Sequence, residues 1–299
     1  MRTLFVMVKR NIKLYFKDKG LFFSSLITPL IMLILYMTFL AKVYKDSFTG
    51  AIPEGVNIAD SIINGCVGGQ LVASLIAVSC VTISFCSNLL MISDKFQNQI
   101  DDFCVSPTKR YVLDLSYLIA TFFSTLIVCF ITCGIGFIYI ACIGWYISFT
   151  DVLLIIVDTI LLNLFGTLLS SIIYKFLSTQ GQASAAGTIV SAGYGFICGA
   201  YMPISQFGSG IRNVLAFLPG TYGTSLIKNH FLNGVYNAMT DDGFPQEVVS
   251  GIRDSIDCNL YFFNNKVEIW VMYLIMVISV LVLLGIYILI SFVKKDKKR

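Results

Sequence analysis

The chain has 299 residues, 57% hydrophobic and 13% charged, with a mean hydropathy of +0.81 and a net charge of +4. A soluble domain of this length carries about 25% charged residues, so a water-soluble globule is excluded. Apolar runs of 18 or more residues recur, each long enough for a membrane helix, and a single all-α integral membrane domain over 1–299 is expected.

The first twenty residues are amphipathic. Leu4, Val8, Ile12 and Tyr15 or Phe16 recur at helical spacing, while Lys9, Lys13 and Lys17 repeat every four residues on another face. That pattern predicts a helix lying in the cytoplasmic interface with its lysines toward headgroups. Six spans follow, at about Leu21–Leu40, Val67–Met91, Leu115–Ile140, Val152–Ile173, Ala183–Ala200 and Val267–Phe292. The first follows basic residues as a signal peptide does, but it is too long for an h-region and lacks a small-residue cleavage pattern, so it is expected to be uncleaved. Pro29 lies in its first half, tolerable where neighbours satisfy the freed carbonyl.

An even number of spans puts both termini on one side. With the termini inside, 15 of the 21 Lys and Arg face inward. The basic tails "MRTLFVMVKRNIKLYFKDK" and "KKDKKR" decide the orientation, because Lys/Arg bias near span ends sets topology. Both ends are therefore expected to be cytoplasmic, and the basic balance belongs to the inner membrane face rather than to nucleic acid.

Small residues recur along the second span as Gly65, Gly69, Ala73 and Ala77, and along the fifth as Ser184, Gly187, Ser191, Gly195 and Gly199. Such faces let helix backbones approach closely, in a dimer interface that slides or in static packing. After the fifth span, "YMPISQFGSGIRNVLAFLPGTYGTSL" is amphipathic, broken by Pro203 and Pro219, and holds Tyr222. One or two short re-entrant or outer helices are expected there, followed by a small polar cap over 233–266.

The chemistry is bounded by what is missing. Most of the nine cysteines lie in apolar runs as small hydrophobes, and no spacing suggests a metal site. The lone histidine, His230, is expected at the outer surface without a catalytic role. No Gly-Lys pair exists anywhere, so the chain carries no P-loop of its own. Asp158 is the one acid well inside a span, a candidate on the cargo path by default, with Asn163 and Tyr194 as further candidates. A single acid makes a poor proton relay.

Between the second and third spans, "ISDKFQNQIDDFCVSPTKRYVLDL" interrupts the apolar chain. Asp94 to Asp102 is expected to extend the span as a helix into the cytosol, Ser106-Pro107 is a turn signal, and Lys109 and Arg110 open the next element. The product is a charged knuckle suited to a groove on a cytosolic partner.

Here the chain resembles the ABC-2 family of ABC transporter permeases, particularly the drug-export type. "SDKFQNQIDDFCVSPTKRYVLDLSYLIA" looks like that family's acid-containing segment ending in "sPvkr", and "MPISQFGSGIRNVLAFLPGTYGTSLIKN" looks like its stretch after the fifth span. The chain departs from the pattern in having Asp94 and Gln97-Asn98 where the family carries Glu then Gly, and in a longer outer segment. The resemblance implies a non-catalytic exporter subunit. Two copies, identical or paralogous, would pack on two separate P-loop ATPase subunits that hold the ATP and Mg; this chain would bind no cofactor or metal. Asp94, Gln97, Asp101, Asp102, Ser106, Pro107, Lys109 and Arg110 would form the coupling contact, and the cargo would be amphipathic or lipid-like. Rival readings are a secondary transporter, which needs midplane ion sites and usually internal repeats, a lipid-modifying enzyme, which needs converging His, Asp or Arg, and a non-transporting sensor or immunity partner of the same fold.

Overall fold

The computed structural model of the chain describes residues 2–36, 39, 41–50, 59–100, 110–177, 179–263 and 265–296. Its axis, following the short α3 (Ala41–Gly50), is α4 (Asp60–Phe96), 37 residues or about 55 Å long. Eighty-three per cent of its most apolar window is buried, because α2 (Lys19–Leu35), α5 (Arg110–Ile143), α6 (Phe149–Phe176), α7 (Gln180–Ile197) and α9 (Pro219–Asp241) all pack around it. A helix buried all round needs no polar face, and its polar residues are absorbed locally: Ser79, Thr82 and Ser84 donate to the carbonyls of Leu75, Val78 and Cys80 four residues back. The last helix, α11 (Ile269–Asp296), is the opposite case, with 17% of its window buried. So apolar a surface is stable only against lipid.

Among the described residues, four helices are long and apolar enough to cross a membrane, α4, α5, α6 and α11, making this a multi-pass membrane protein. Of the six expected spans, the first and fifth correspond to shorter helices. α2 has 17 residues and α7 has 18, the latter diluted by Gly and Ser. Pro29 sits within α2.

The N-terminal helix α1 (Arg2–Lys17) is bent by 71° from α2. Asp18 makes the corner: it breaks the helix and accepts the Leu21 N–H at 3.1 Å as the cap of α2. Lys9, Lys13 and Lys17 are exposed, as their spacing predicts. The buried stripe is Met7, Asn11 and Tyr15, packed chiefly on α5, one residue round from the purely apolar stripe of Leu4, Val8 and Ile12.

α4 stops earlier than the sequence suggests. Gln97 caps it and Asn98 takes φ +59°, the left-handed conformation that ends a helix and that Asn tolerates best among non-glycine residues. The expected helical extension to Asp102 is thus broken at 97–98.

Beyond α7, the chain passes through a 3-10 turn (Ile204–Gln206) and α8 (Ser209–Leu215) before α9. Pro203 precedes the turn, and Pro219 occupies the first turn of α9, where its missing N–H costs nothing. The two prolines start elements here, and α9 is a 23-residue helix longer than the short pieces expected. It runs antiparallel to α6, with Gly223 against Leu162, His230 against Asp158 and Asn233 against Asp151. Where α9 passes the α5–α6 connection, a Cβ on Gly234 would lie 1.6 Å from the Tyr146 carbonyl oxygen, so only glycine fits. The cap then holds α10 (Gln246–Ser255) and a small antiparallel hairpin of β1 (Leu260–Phe262) and β2 (Asn265–Val267), with Leu260 opposite Val267. This hairpin is the one departure from the all-helical expectation among the described residues.

Candidate functional site

At one end of the bundle a buried polar cluster ties α1 to the base of α4. Arg10 Nη1 donates to Asp94 Oδ2 at 2.5 Å, and the Tyr117 hydroxyl donates to the same oxygen at 2.5 Å. Arg10 also reaches Gln99 Oε1 at 2.7 Å and Asn11 Oδ1 at 2.8 Å. The Asp94 side chain is 5% exposed. Its carboxylate is therefore turned inward, and its expected place on the docking surface is corrected to a tie between the N-terminal helix and the central one. Gln97 is exposed and accepts from Gln99 Nε2 at 2.8 Å, and Arg110 is exposed at the start of α5. Asp101, Asp102, Ser106, Pro107 and Lys109 lie outside the described residues.

A second cluster at the same end joins α5, α6 and α11. Lys175 Nζ sits 3.1 Å from Asp114 Oδ2, donates to Ser291 Oγ, and lies 3.7 Å above the Tyr287 ring. About 25 Å along α6, at 1.5 Å per residue, comes Asp158. It accepts from Tyr273 at 2.5 Å and pairs with His230 Nδ1 at 2.6 Å, joining α6, α9 and α11. Ser291 and Tyr273 on α11 are about 27 Å apart by the same rise. The two polar layers thus bracket close to the roughly 30 Å of a hydrocarbon core. Asp158 and His230 converge because α6 and α9 run antiparallel in register. His230 is buried, correcting its expected place at the surface. Among the described residues no group of three His, Cys, Asp or Glu could hold a metal ion.

Above this layer, Lys228 is fully buried and donates to the carbonyls of Gly199 and Ile256 at 2.7 and 3.2 Å, with Asp257 Oδ2 at 3.7 Å. Asp257 in turn accepts the N–H groups of Ile204 and Ser205, fixing the 3-10 turn. Burial pushes the Asp257 carboxyl above its ordinary range, against the pull of Lys228 and the two N–H groups.

The sequence candidates for a cargo path are packed inside the bundle. Asn163 donates to the Phe122 carbonyl at 3.1 Å and accepts from Ser84 and Thr167, linking α4, α5 and α6. Tyr194 is buried against Gly220, where an added Cβ would meet its hydroxyl at 2.6 Å. Asp158 is held as described. Asp158 and Asn163 are thus bonded to neighbours within the chain, whereas the buried Tyr194 hydroxyl has no hydrogen-bond partner among the described residues. The cavity lies elsewhere: a groove of about 910 Å³ between α2 and α7, walled by Ile27, Ile31 and Leu35 on one side and Thr188, Ser191 and Phe196 on the other.

The small-residue faces divide similarly. Gly65 and Gly69 press on Tyr146, Val235 and Leu232, and Ala73 is fully buried, so this face is spent within the chain rather than on a second copy. Gly187 meets the Tyr174 hydroxyl and Gly195 the Tyr201 ring, but Ser191 remains half-exposed in the groove. Tyr222 donates to the Ala216 carbonyl at 2.6 Å and pins α8 to α9. Sequence reasoning passed over Arg10, Asn11, Tyr117 and the Asp158–His230 pairing. The one local signal was Asn11, a polar residue four from both Met7 and Tyr15; the rest depends on partners 23 to 89 residues away.

A family model described as ABC-2 type transporter matches residues 2–232. No curated protein matches the chain.

Proposed function

The chain belongs to the ABC-2 type transporter family, and on that premise we propose that it is the permease subunit of an exporter that moves an amphipathic or lipid-like cargo, driven by a separate P-loop ATPase. In this reading α2 and α7 complete six spans, both termini are cytoplasmic, and the protein sits in the cell membrane as one of two copies or with a paralogue. The nucleotide and Mg belong to the ATPase partner.

The observation that carries the cargo class is the groove between α2 and α7. Its volume of about 910 Å³ suits a drug-sized ligand, its walls are apolar with a few hydroxyls, and it flanks the half-exposed face of α7. An apolar groove of this kind suits molecules already dissolved in the bilayer. The base of the bundle supports the coupling reading. Arg10 of α1 holds Asp94 of α4 and Gln99 just past the helix end, so a push on the end of the axial helix is passed to α1 through a buried ion pair. Closure of the ATPase pair would then shift α4 against its neighbours as a rigid element.

The test is purification in mild detergent with identification of the co-purifying ATPase, then ATP-driven flux of a lipid-like dye in reconstituted vesicles. Asp101→Lys with Asp102→Lys is expected to abolish flux while the two permease copies still assemble. Full flux in that variant refutes the coupling role, and a chain with no ATPase partner refutes the exporter reading.

A further inference from the structure

We propose that a small pocket between α8, α9 and the β-hairpin seats the headgroup of a zwitterionic phospholipid, its phosphate on Arg212 and its amine on Asp254. The pocket has a volume of about 180 Å³ and is lined by Arg212, Thr221, Tyr222, Asp254, Asn259 and Tyr261, with Asp257 at its back. It is smaller than the roughly 300 Å³ at which drug-sized sites begin, so it fits a headgroup rather than a drug.

Its charges are arranged for a ligand with both signs. The Arg212 side chain is exposed and makes no hydrogen bond or ion pair among the described residues. Asp254 Oδ1 accepts from Asn259 at 2.7 Å and Tyr261 at 3.1 Å, which orients the carboxylate and leaves Oδ2 open. Asp257 is not available, being bound to Ile204, Ser205 and Lys228. Arg212 and Asp254 line one pocket without forming a salt bridge. A lone phosphate there would face the Asp254 carboxylate, and a lone amine the Arg212 guanidinium. A phosphate joined to an amine satisfies both.

The surroundings identify the source as the bilayer. Beside the pocket, Phe217 packs on Phe262 and Phe263 with ring centroids 5.1 and 6.3 Å apart. These rings, with Ile211 and Val214 on α8, are exposed. Following the hairpin, Trp270 is 67% exposed, and Leu274 and Val277 are exposed further along the same side of α11. Trp270 stands one turn above Tyr273, in the polar layer about 27 Å from its counterpart at the other end. Exposed aromatic rings at that depth form the interfacial belt of a membrane protein, and the pocket opens where headgroups lie. The proposal rests on the membrane embedding alone, independent of what is transported.

The full chain in mild detergent, stripped of lipid and titrated with short-chain phosphatidylethanolamine or phosphatidylglycerol under native mass spectrometry, tests it. Wild type is expected to bind one phosphatidylethanolamine in preference to phosphatidylglycerol. Arg212→Gln should weaken both about tenfold, the loss of one charge-assisted hydrogen bond, and Asp254→Asn should erase the preference while keeping phosphate binding. The Arg212 side chain makes no hydrogen bond or ion pair among the described residues, so its variant decides the matter even if Asp254→Asn misfolds. Equal binding of both lipids by wild type, unchanged binding in Arg212→Gln, or equally tight binding of soluble glycerophosphoethanolamine would each overturn it. So would a second copy of the chain covering the patch.

Discussion

Removing Asp94 tests the link between the N-terminal helix and the bundle. The Asp94 side chain is 5% exposed and its Arg10 partner 28% exposed. Breaking a buried pair by deleting one partner costs about 3–5 kcal/mol. In Asp94→Ala, Arg10 keeps Asn11 and Gln99 and is partly hydrated, whereas Tyr117 loses its acceptor in a buried site. The cost therefore belongs at the lower end, about 3 kcal/mol. Arg10→Ala leaves the Asp94 carboxylate with Tyr117 alone and should cost at least as much. Because both variants remove the same bond, the double variant should fall short of their sum by about 2 kcal/mol. Unfolding by SDS titration in mixed micelles, followed by circular dichroism, measures all three, and trypsin cleavage at Lys9, Lys13 and Lys17 should accelerate in parallel as α1 detaches. Single costs below about 0.5 kcal/mol that add without coupling would place the pair with exposed salt bridges and refute the tie.

Gly234→Ala must push its new Cβ out of the Tyr146 carbonyl oxygen; a loss of about 3 kcal/mol or more is expected by the same titration, against no loss in Gly193→Ala, which lies within α7 and faces open space. Asp158→Asn replaces the acid that joins α6, α9 and α11 and should lower stability by about 2–4 kcal/mol, with the melting temperature as readout and ATP hydrolysis by the partner unaffected in the folded fraction. Ser191→Trp places an indole in the groove and should cut dye flux at least tenfold while assembly and stability persist; undiminished flux would remove the groove from the cargo path.

Several features were readable one residue at a time. The apolar runs of α4, α5, α6 and α11, the lysine face of α1 and the break before α9 at Pro219 each follow from spacing or from a single backbone constraint. Membrane embedding was legible for the same reason, since hydropathy is a local sum. The end of α4 at Asn98 was misread because the acids and amides that follow are compatible with helix, and a left-handed Asn has no neighbour pattern to announce it.

The sequence by itself determined that this chain crosses a membrane, where most of its spans lie, and that it brings no P-loop of its own; those are consequences of composition and of spacing within one helix. Only the tertiary structure decided which helix is the axis, since α4 and α11 both read as apolar spans and differ in what surrounds them. It also decided the partners of the ionisable groups. Asp94 faces Arg10 instead of the cytosol, and Asp158 meets His230 because α6 and α9 pack antiparallel at one register. A buried charge must find its counterpart in space, and distance along the chain carries no information about which one it finds.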